Sequence, residues 1–130
     1  MKITPFNLFE NSKTKIGFHS NIEKDTIENI NFRKVLFTAK NLQLVLMSLK
    51  PKEDIGEEIH ENDQFFRFEK GKGKVIINNT EYSVKDGDSV IVPKGEKHNI
   101  INISDEEDLK LYTIYSPPHH KDGTIEKNKK

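Results

Sequence analysis

From about Asn31 onward the apolar residues fall at every second position, in runs that turn residues interrupt at roughly 8–12-residue intervals. Successive side chains of a strand point to opposite faces, so a period of two marks strands with one face in a core. "FRKVLFTAK" (32–40), "LQLVLMSLK" (42–50), "DQFFRFEKG" (63–71), "HNIINIS" (98–104) and "LKLYTIYS" (109–116) read as strands. "KVIINNTEYSV" (74–84) reads as a hairpin with Asn78 and Asn79 at its tip, where asparagine tolerates positive φ, and Gly71 and Gly73 suit the tight turn before it. A further short strand lies between a turn at Gly87 and a corner at Pro93 and Gly95. Roughly eight to ten short strands, with at most one short helix near the N-terminus, predict a sandwich or barrel. No helical segment alternates with the strands, which argues against a parallel sheet.

A length of 130 residues suits one domain with one core. The pattern divides it into an N-terminal extension (1–30), the barrel (31–116) and a polar tail (117–130) expected to be mobile, with His119 and His120 exposed. In the second strand Leu42, Leu44 and Leu46 share one face and Val45, Met47 and Leu49 the other. Such a strand is expected to be covered on both sides, by another sheet and by a second subunit, which predicts a homodimer. Lysine plus arginine equals aspartate plus glutamate at 21 each. Zero net charge removes the electrostatic case for a nucleic-acid or anionic-membrane partner and leaves little repulsion against self-association. The absence of cysteine excludes both a disulfide framework and a thiolate metal site. With no signal-like or membrane-length apolar run, a cytoplasmic protein is expected.

The stretch "GDSVIVPKGEKHNIIN" (87–102) carries the most specific signal. Gly87, Pro93, Gly95, His98 and Asn102 fit G-x5-P-x-G-x2-H-x3-N, the second cupin motif, at every fixed position. Upstream, "GEEIHENDQFFRFEKG" (56–71) fits the first cupin motif, G-x5-H-x-H-x3,4-E-x6-G, in part. His60 matches its second histidine and Gly71 its closing glycine, whereas Gln64 stands at the glutamate position and Glu58 at the first histidine. The chain therefore resembles a small single-domain cupin of the RmlC-like type, and "DQFFRFEKGKG" with "YTIYSPPHHKDGT" is similar to a bacterial branch often labelled mannose-6-phosphate isomerase. The resemblance implies an all-β double-stranded β-helix, a jelly-roll barrel, holding one divalent transition metal (zinc, manganese, iron or nickel) and acting on a small-molecule, sugar-like substrate.

The ligands it implies are Glu58, His60, Gln64 and His98. In an extended chain residues i and i+2 share a face, so Glu58 and His60 can converge on one ion. Imidazole and carboxylate suit first-row divalent metals, and a four-ligand set leaves positions open for water or substrate. Glutamine is a neutral, weaker ligand than glutamate, but Glu58 in place of histidine restores the usual total ligand charge. Asn62 is a further possible ligand. Glu58 is also the candidate catalytic residue, as the carboxylate that moves a proton in an isomerase or epimerase. An iron-dependent dioxygenase and a non-enzymatic binding barrel are the alternatives. Phe66 and Phe68 share the face of Gln64 and are expected in the core, Arg67 faces away, and only one of Tyr112 and Tyr115 can reach a pocket. His19 has no assigned role.

Overall fold

A computed structural model describes residues 16–130. One short helix, α1 (Ile22–Glu28), precedes nine strands: β1 (Arg33–Thr38), β2 (Gln43–Leu49), β3 (Asp63–Lys70), β4 (Lys72–Ile77), β5 (Thr80–Lys85), β6 (Ser89–Val92), β7 (His98–Asn102), β8 (Leu109–Ser116) and β9 (Ile125–Glu126). All pairings are antiparallel. A six-stranded sheet runs β6-β3-β8-β2-β1-β9, and a three-stranded sheet runs β5-β4-β7. This is the all-β jelly roll that the strand pattern and the two motifs predict. Among the described residues no helix is long and apolar enough to cross a membrane.

The period of two becomes the inner wall. Phe66 and Phe68 of β3, Val45, Met47 and Leu49 of β2, Leu109 and Leu111 of β8, Val75 of β4 and Ile100 of β7 are buried in one apolar cluster. Where that cluster ends, the register sets a different row. Val92, Gln64, Tyr115, Gln43 and Thr38 lie level with one another across β6, β3, β8, β2 and β1. Four of these five carry polar atoms, so this end of the barrel is a polar mouth above an apolar floor.

Two glycines show why their positions matter. Gly71 turns β3 into β4 at φ +111°, and a Cβ there would lie 2.8 Å from the Asp108 carbonyl oxygen. Gly73, expected in the same turn, instead sits within β4, where a Cβ would meet Leu109 at 2.8 Å and the Ile101 carbonyl at 3.0 Å. It is a close-packing glycine rather than a turn glycine. At the β4–β5 tip only Asn78 takes a positive φ, +53°.

Two other expectations are corrected. The outer side of β2 is covered by the chain's own helix: α1 packs over β8, β3 and β2, and Leu46 is buried on that side while Leu42 lies outside the strand, 44% exposed. The two-faced apolar pattern therefore does not by itself require a second subunit. The 117–130 segment is no loose tail. Ile125–Glu126 adds to the β1 edge, with Val35 N–H donating to the Thr124 carbonyl at 2.8 Å and Phe32 N–H to that of Lys127 at 3.2 Å. Arg33 pairs with Glu126, Lys50 donates to Asn128 at 2.9 Å, and Lys129 meets Asp54 at 2.7 Å. Its polarity is satisfied by partners on the barrel rather than by water alone.

Asn102, fully buried at the end of β7, gathers the loops at the opposite end. Its amide donates to the carbonyls of Leu49 and Lys50 at 3.0 Å and of Glu107 at 2.8 Å, and its oxygen accepts from Ser104 N–H at 2.9 Å. Asn102→Ala is expected to lower the unfolding free energy by at least about 2 kcal/mol, because each buried group left unpaired costs about 1–3 kcal/mol. Urea melts of the two proteins measure this. A loss within about 0.5 kcal/mol, the range of an ordinary surface change, would show that other groups hold these loops.

Candidate metal centre

The site begins with backbone pairing. Glu58 and His98 exchange both main-chain hydrogen bonds, each at 2.9 Å, although Glu58 lies outside any named strand. Directly opposed residues of an antiparallel pair present their side chains on one face. Ile55 N–H to Ile100 and Asn102 N–H to Glu53 continue this zipper, so the 53–58 stretch runs beside β7. Two residues further on, His60 is fixed by its own carbonyl, which accepts from Gly95 N–H at 2.9 Å. Gly95 has φ +87°, a conformation that favours glycine. The motif's corner therefore orients the upstream histidine as well as its own.

The two imidazoles meet inside the mouth, with ring centroids 5.5 Å apart. Glu58, His60 and His98 each bring one ligand atom within 4.8 Å of the others, and Glu58 Oε1 lies 3.0 Å from His60 Nε2. Two ligands bound about 2.1 Å from one tetrahedral ion are separated by about 3.4 Å, so these atoms are close to a chelating spacing. Gln64 comes from β3 and is 3% exposed. Its amide nitrogen donates to Thr113 Oγ1 at 3.2 Å, which leaves its oxygen free.

Two atoms of this set are unusual. Gln64 Oε1 and His98 Nε2 are buried without a hydrogen-bond partner, two of four such side-chain atoms among the described residues. Buried polar atoms are nearly always paired, and an unpaired one calls for a missing partner such as an ion. His98 Nδ1 lies 2.9 Å from the Glu96 carbonyl, which fixes Nδ1 as the protonated nitrogen and Nε2 as the lone-pair donor. Burial pushes the His98 pKa down, more than the Glu96 carbonyl raises it, so the neutral, ligating form is favoured. Burial alone would raise the Glu58 carboxyl, but the His60 hydrogen bond and the charges of His60, Arg33 and His98 hold it below the usual range. Metal binding calls for deprotonated ligands, and the directions for Glu58 and His98 both favour that form.

The surroundings sort the remaining residues. Phe66 lies beneath the site, its ring 6.1 Å from that of His98. Tyr115 is the tyrosine that reaches inside, 5.7 Å from His60, and Tyr112 lies on the outer face across from Arg67. Asn62, the further candidate ligand, is buried and its side-chain nitrogen donates to the Pro117 carbonyl. His19 is exposed and takes no part in the site. A narrow hollow of about 210 Å³, partly open to solvent, is bounded by Ile55, Gly56, Glu58, Gln64, Phe66, His98 and Tyr115.

A protein-family model described as a cupin domain matches residues 45–115. The chain belongs to the cupin family. This cupin is 46% identical over 110 residues to protein L612 of Acanthamoeba polyphaga mimivirus, covering 82% of this chain and 69% of that protein. It is 44% identical over 119 residues to YrkC of Bacillus subtilis, covering 86% and 63%; both relatives are named as uncharacterized proteins. The chain thus spans about two thirds of the length of each. A solved structure, BH2720 of Bacillus halodurans, superposes with a TM-score of 0.86 at 40% identity, covering 90% of this cupin and 93% of that chain.

The C-terminal segment supplies what the motifs did not show. His119 stacks on Tyr115 at 5.2 Å and meets the edge of His60 at 4.3 Å, while His120 Nε2 lies 3.1 Å from the Tyr115 hydroxyl. His119 is exposed, as expected, but it stands over the mouth; His120 is half-buried. The fully buried Gln43 binds this segment's backbone, and no local pattern marks it for that role. Burial first, then the charges of Arg33 and His119, pushes the His120 pKa down to about 4. An unfolded chain takes up that proton near the ordinary value of 6.5. Between these values the unfolded state binds more protons, so the contribution of His120 to stability is complete above 6.5 and is lost as pH falls towards 4. Urea midpoints measured between pH 7 and pH 4 are expected to fall less steeply for His120→Gln than for the wild type. Parallel slopes would show that His120 is not held neutral by the fold.

Proposed function

We propose that this protein is a metal-binding cupin whose centre is formed by Glu58, His60, Gln64 and His98 and takes one divalent transition ion. The observation that carries this reading is the pair of orphaned buried atoms, Gln64 Oε1 and His98 Nε2, whose side chains line one hollow with the Glu58 carboxylate, while the His60 imidazole brings a ligand atom within 4.8 Å of those of Glu58 and His98. Their number and type fit a first-row ion with a position left open, and no thiolate narrows the choice among zinc, manganese, iron and nickel. Such an ion, when bound, supplies Lewis-acid polarisation of an oxygen atom. The chain's own residues then divide the work. His98, His60 and Gln64 hold and orient, Thr113 and the Glu96 carbonyl fix the ligating atoms of Gln64 and His98, and Phe66 keeps the floor dry. Glu58, ionised and at the edge of the set, is the group able to accept a proton from a bound hydroxyl.

The isomerase or epimerase reading rests on the resemblance and on Glu58. The hollow is narrow for a sugar phosphate, and no lysine or arginine lines it to receive a phosphate. A compact ligand presenting one or two oxygens fits it better. The same donors and open position are compatible with iron-dependent oxygen chemistry, and with a barrel that binds without turnover.

The test is metal content. Protein dialysed against chelator and then against zinc or manganese is expected to retain about one ion per chain by elemental analysis, the count that one four-ligand set holds. His98→Ala and His60→Ala are expected to lose it, and Gln64→Leu to bind more weakly. Equal retention by wild type and both alanine variants would remove the centre.

Homodimer formation belongs to this proposal on a different observation. Ile91, Phe65, Ile114, Leu44 and Phe37 form an apolar row in register across the outer face of the larger sheet, and Ile91 is 65% exposed. A cytoplasmic location is the companion expectation of a cysteine-free chain. Light scattering at micromolar concentration is expected to give twice the chain mass, and Ile91→Asp with Ile114→Asp to halve it. A monomeric wild type ends that part of the reading.

A further inference from the structure

Gln43 is fully buried at the polar mouth, and its amide is turned to Thr38 and the 119–120 backbone. Every hydrogen-bonding capacity of its amide is spent. The oxygen accepts from the backbone N–H groups of His119 at 3.0 Å and His120 at 2.8 Å. The nitrogen donates to the His120 carbonyl at 2.8 Å and to Thr38 Oγ1 at 3.0 Å. Three of these four bonds hold one short length of main chain. A second buried amide, Asn62, holds the Pro117 carbonyl from the other side of the mouth. Between the two anchors the 117–120 segment crosses the barrel end and carries the His119 ring onto His60, 4.3 Å away, and onto Tyr115. His60 is left only 7% exposed beneath it.

We infer that Gln43 is a positioning residue for this centre: it latches the 117–120 strap so that the His119 ring closes over His60 and controls what reaches the ligating atoms. Buried amides satisfied on all sides act as geometric clamps, because breaking one bond strands another buried group. His60 is buried beneath the His119 ring, so a solute reaches its imidazole only when the strap or that ring moves aside, and small solutes need the least movement. His119, exposed on its outer side, is the part of the strap that an incoming molecule meets first. The role assigned to the metal in this inference rests on the proposed centre; the latch itself does not.

Diethyl pyrocarbonate, which acylates accessible neutral imidazoles, reads the latch in the metal-free protein when modification is mapped residue by residue. In the wild type His60 is expected to react far more slowly than exposed His19. In Gln43→Leu and in His119→Ala its rate is expected to rise at least about tenfold, the shift in an opening equilibrium that losing one or two hydrogen bonds or a covering contact produces. His119→Ala changes an exposed side chain and folds normally, so it decides the matter if Gln43→Leu does not fold. In zinc-loaded protein the same variants are expected to release the ion to a chelator about 10–100-fold faster, the scale on which supporting contacts act at metal sites. An unchanged His60 rate in His119→Ala, or a wild-type His60 as reactive as His19, overturns the latch whether or not zinc binds. Faster labelling together with a wild type that holds no zinc supports the latch and removes the metal centre instead.

Discussion

The reciprocal backbone pairing of Glu58 with His98 is the constraint on which the site depends. Two hydrogen bonds of 2.9 Å place a carboxylate opposite an imidazole without any side-chain interaction having to bring them together. The same short zipper carries the chain on to His60, which the Gly95 corner then holds. Because the main chain does the positioning, the side chains are free to be poorly matched to one another. One carboxylate, two imidazoles and a carboxamide sit in a space where two of their atoms lack partners. A fold that spends its rigidity in this way stabilises an arrangement that side-chain energetics alone would not favour.

The register of the larger sheet adds the second requirement, a boundary between polar and apolar. Gln64, Tyr115, Gln43 and Thr38 are level with one another, and the next inward-facing row below is Phe66, Thr113, Val45 and Val35. A shift of one residue in any of these pairings would turn the polar row outward and bring the alternate side chains into the core. Core packing and site construction are thus one event. The phenylalanines and valines that exclude water also set the height at which Gln64 meets the two histidines.

Much of this was legible in the sequence, for local reasons. The alternation in 63–70 and 109–116 matches β3 and β8 closely, because a half-buried strand must alternate. Gly87, Pro93, Gly95, His98 and Asn102 are spaced as they are because each does local work: a turn, a corner, an inward-facing imidazole and a loop anchor. What stayed hidden depends on contacts between distant segments. Gln43 and the backbone it binds are separated by 76 and 77 positions, and nothing in "NLQLVL" distinguishes a clamp from an ordinary polar strand residue. The polarity of the last fourteen residues points to a loose tail, yet polarity excludes only apolar burial. Arg33 with Glu126 and Asp54 with Lys129 supply a docking code that composition does not reveal. The cover on β2 is hidden for the same reason: periodicity shows that Leu46 is buried but not that α1 packs on that side.

The two-residue strand β9 has a consequence of its own. Without it, β1 would be the rim of the larger sheet, offering the unsatisfied amides of Phe32 and Val35 to any passing polypeptide. Open rims of this kind recruit foreign strands and seed fibrous assembly. By bonding its own C-terminal residues there the molecule ends the sheet in a short, lysine-flanked border that a neighbour cannot readily extend. The opposite rim, β6, is only four residues long. The same C-terminal segment that carries His119 onto His60 therefore also acts as a guard against polymerisation.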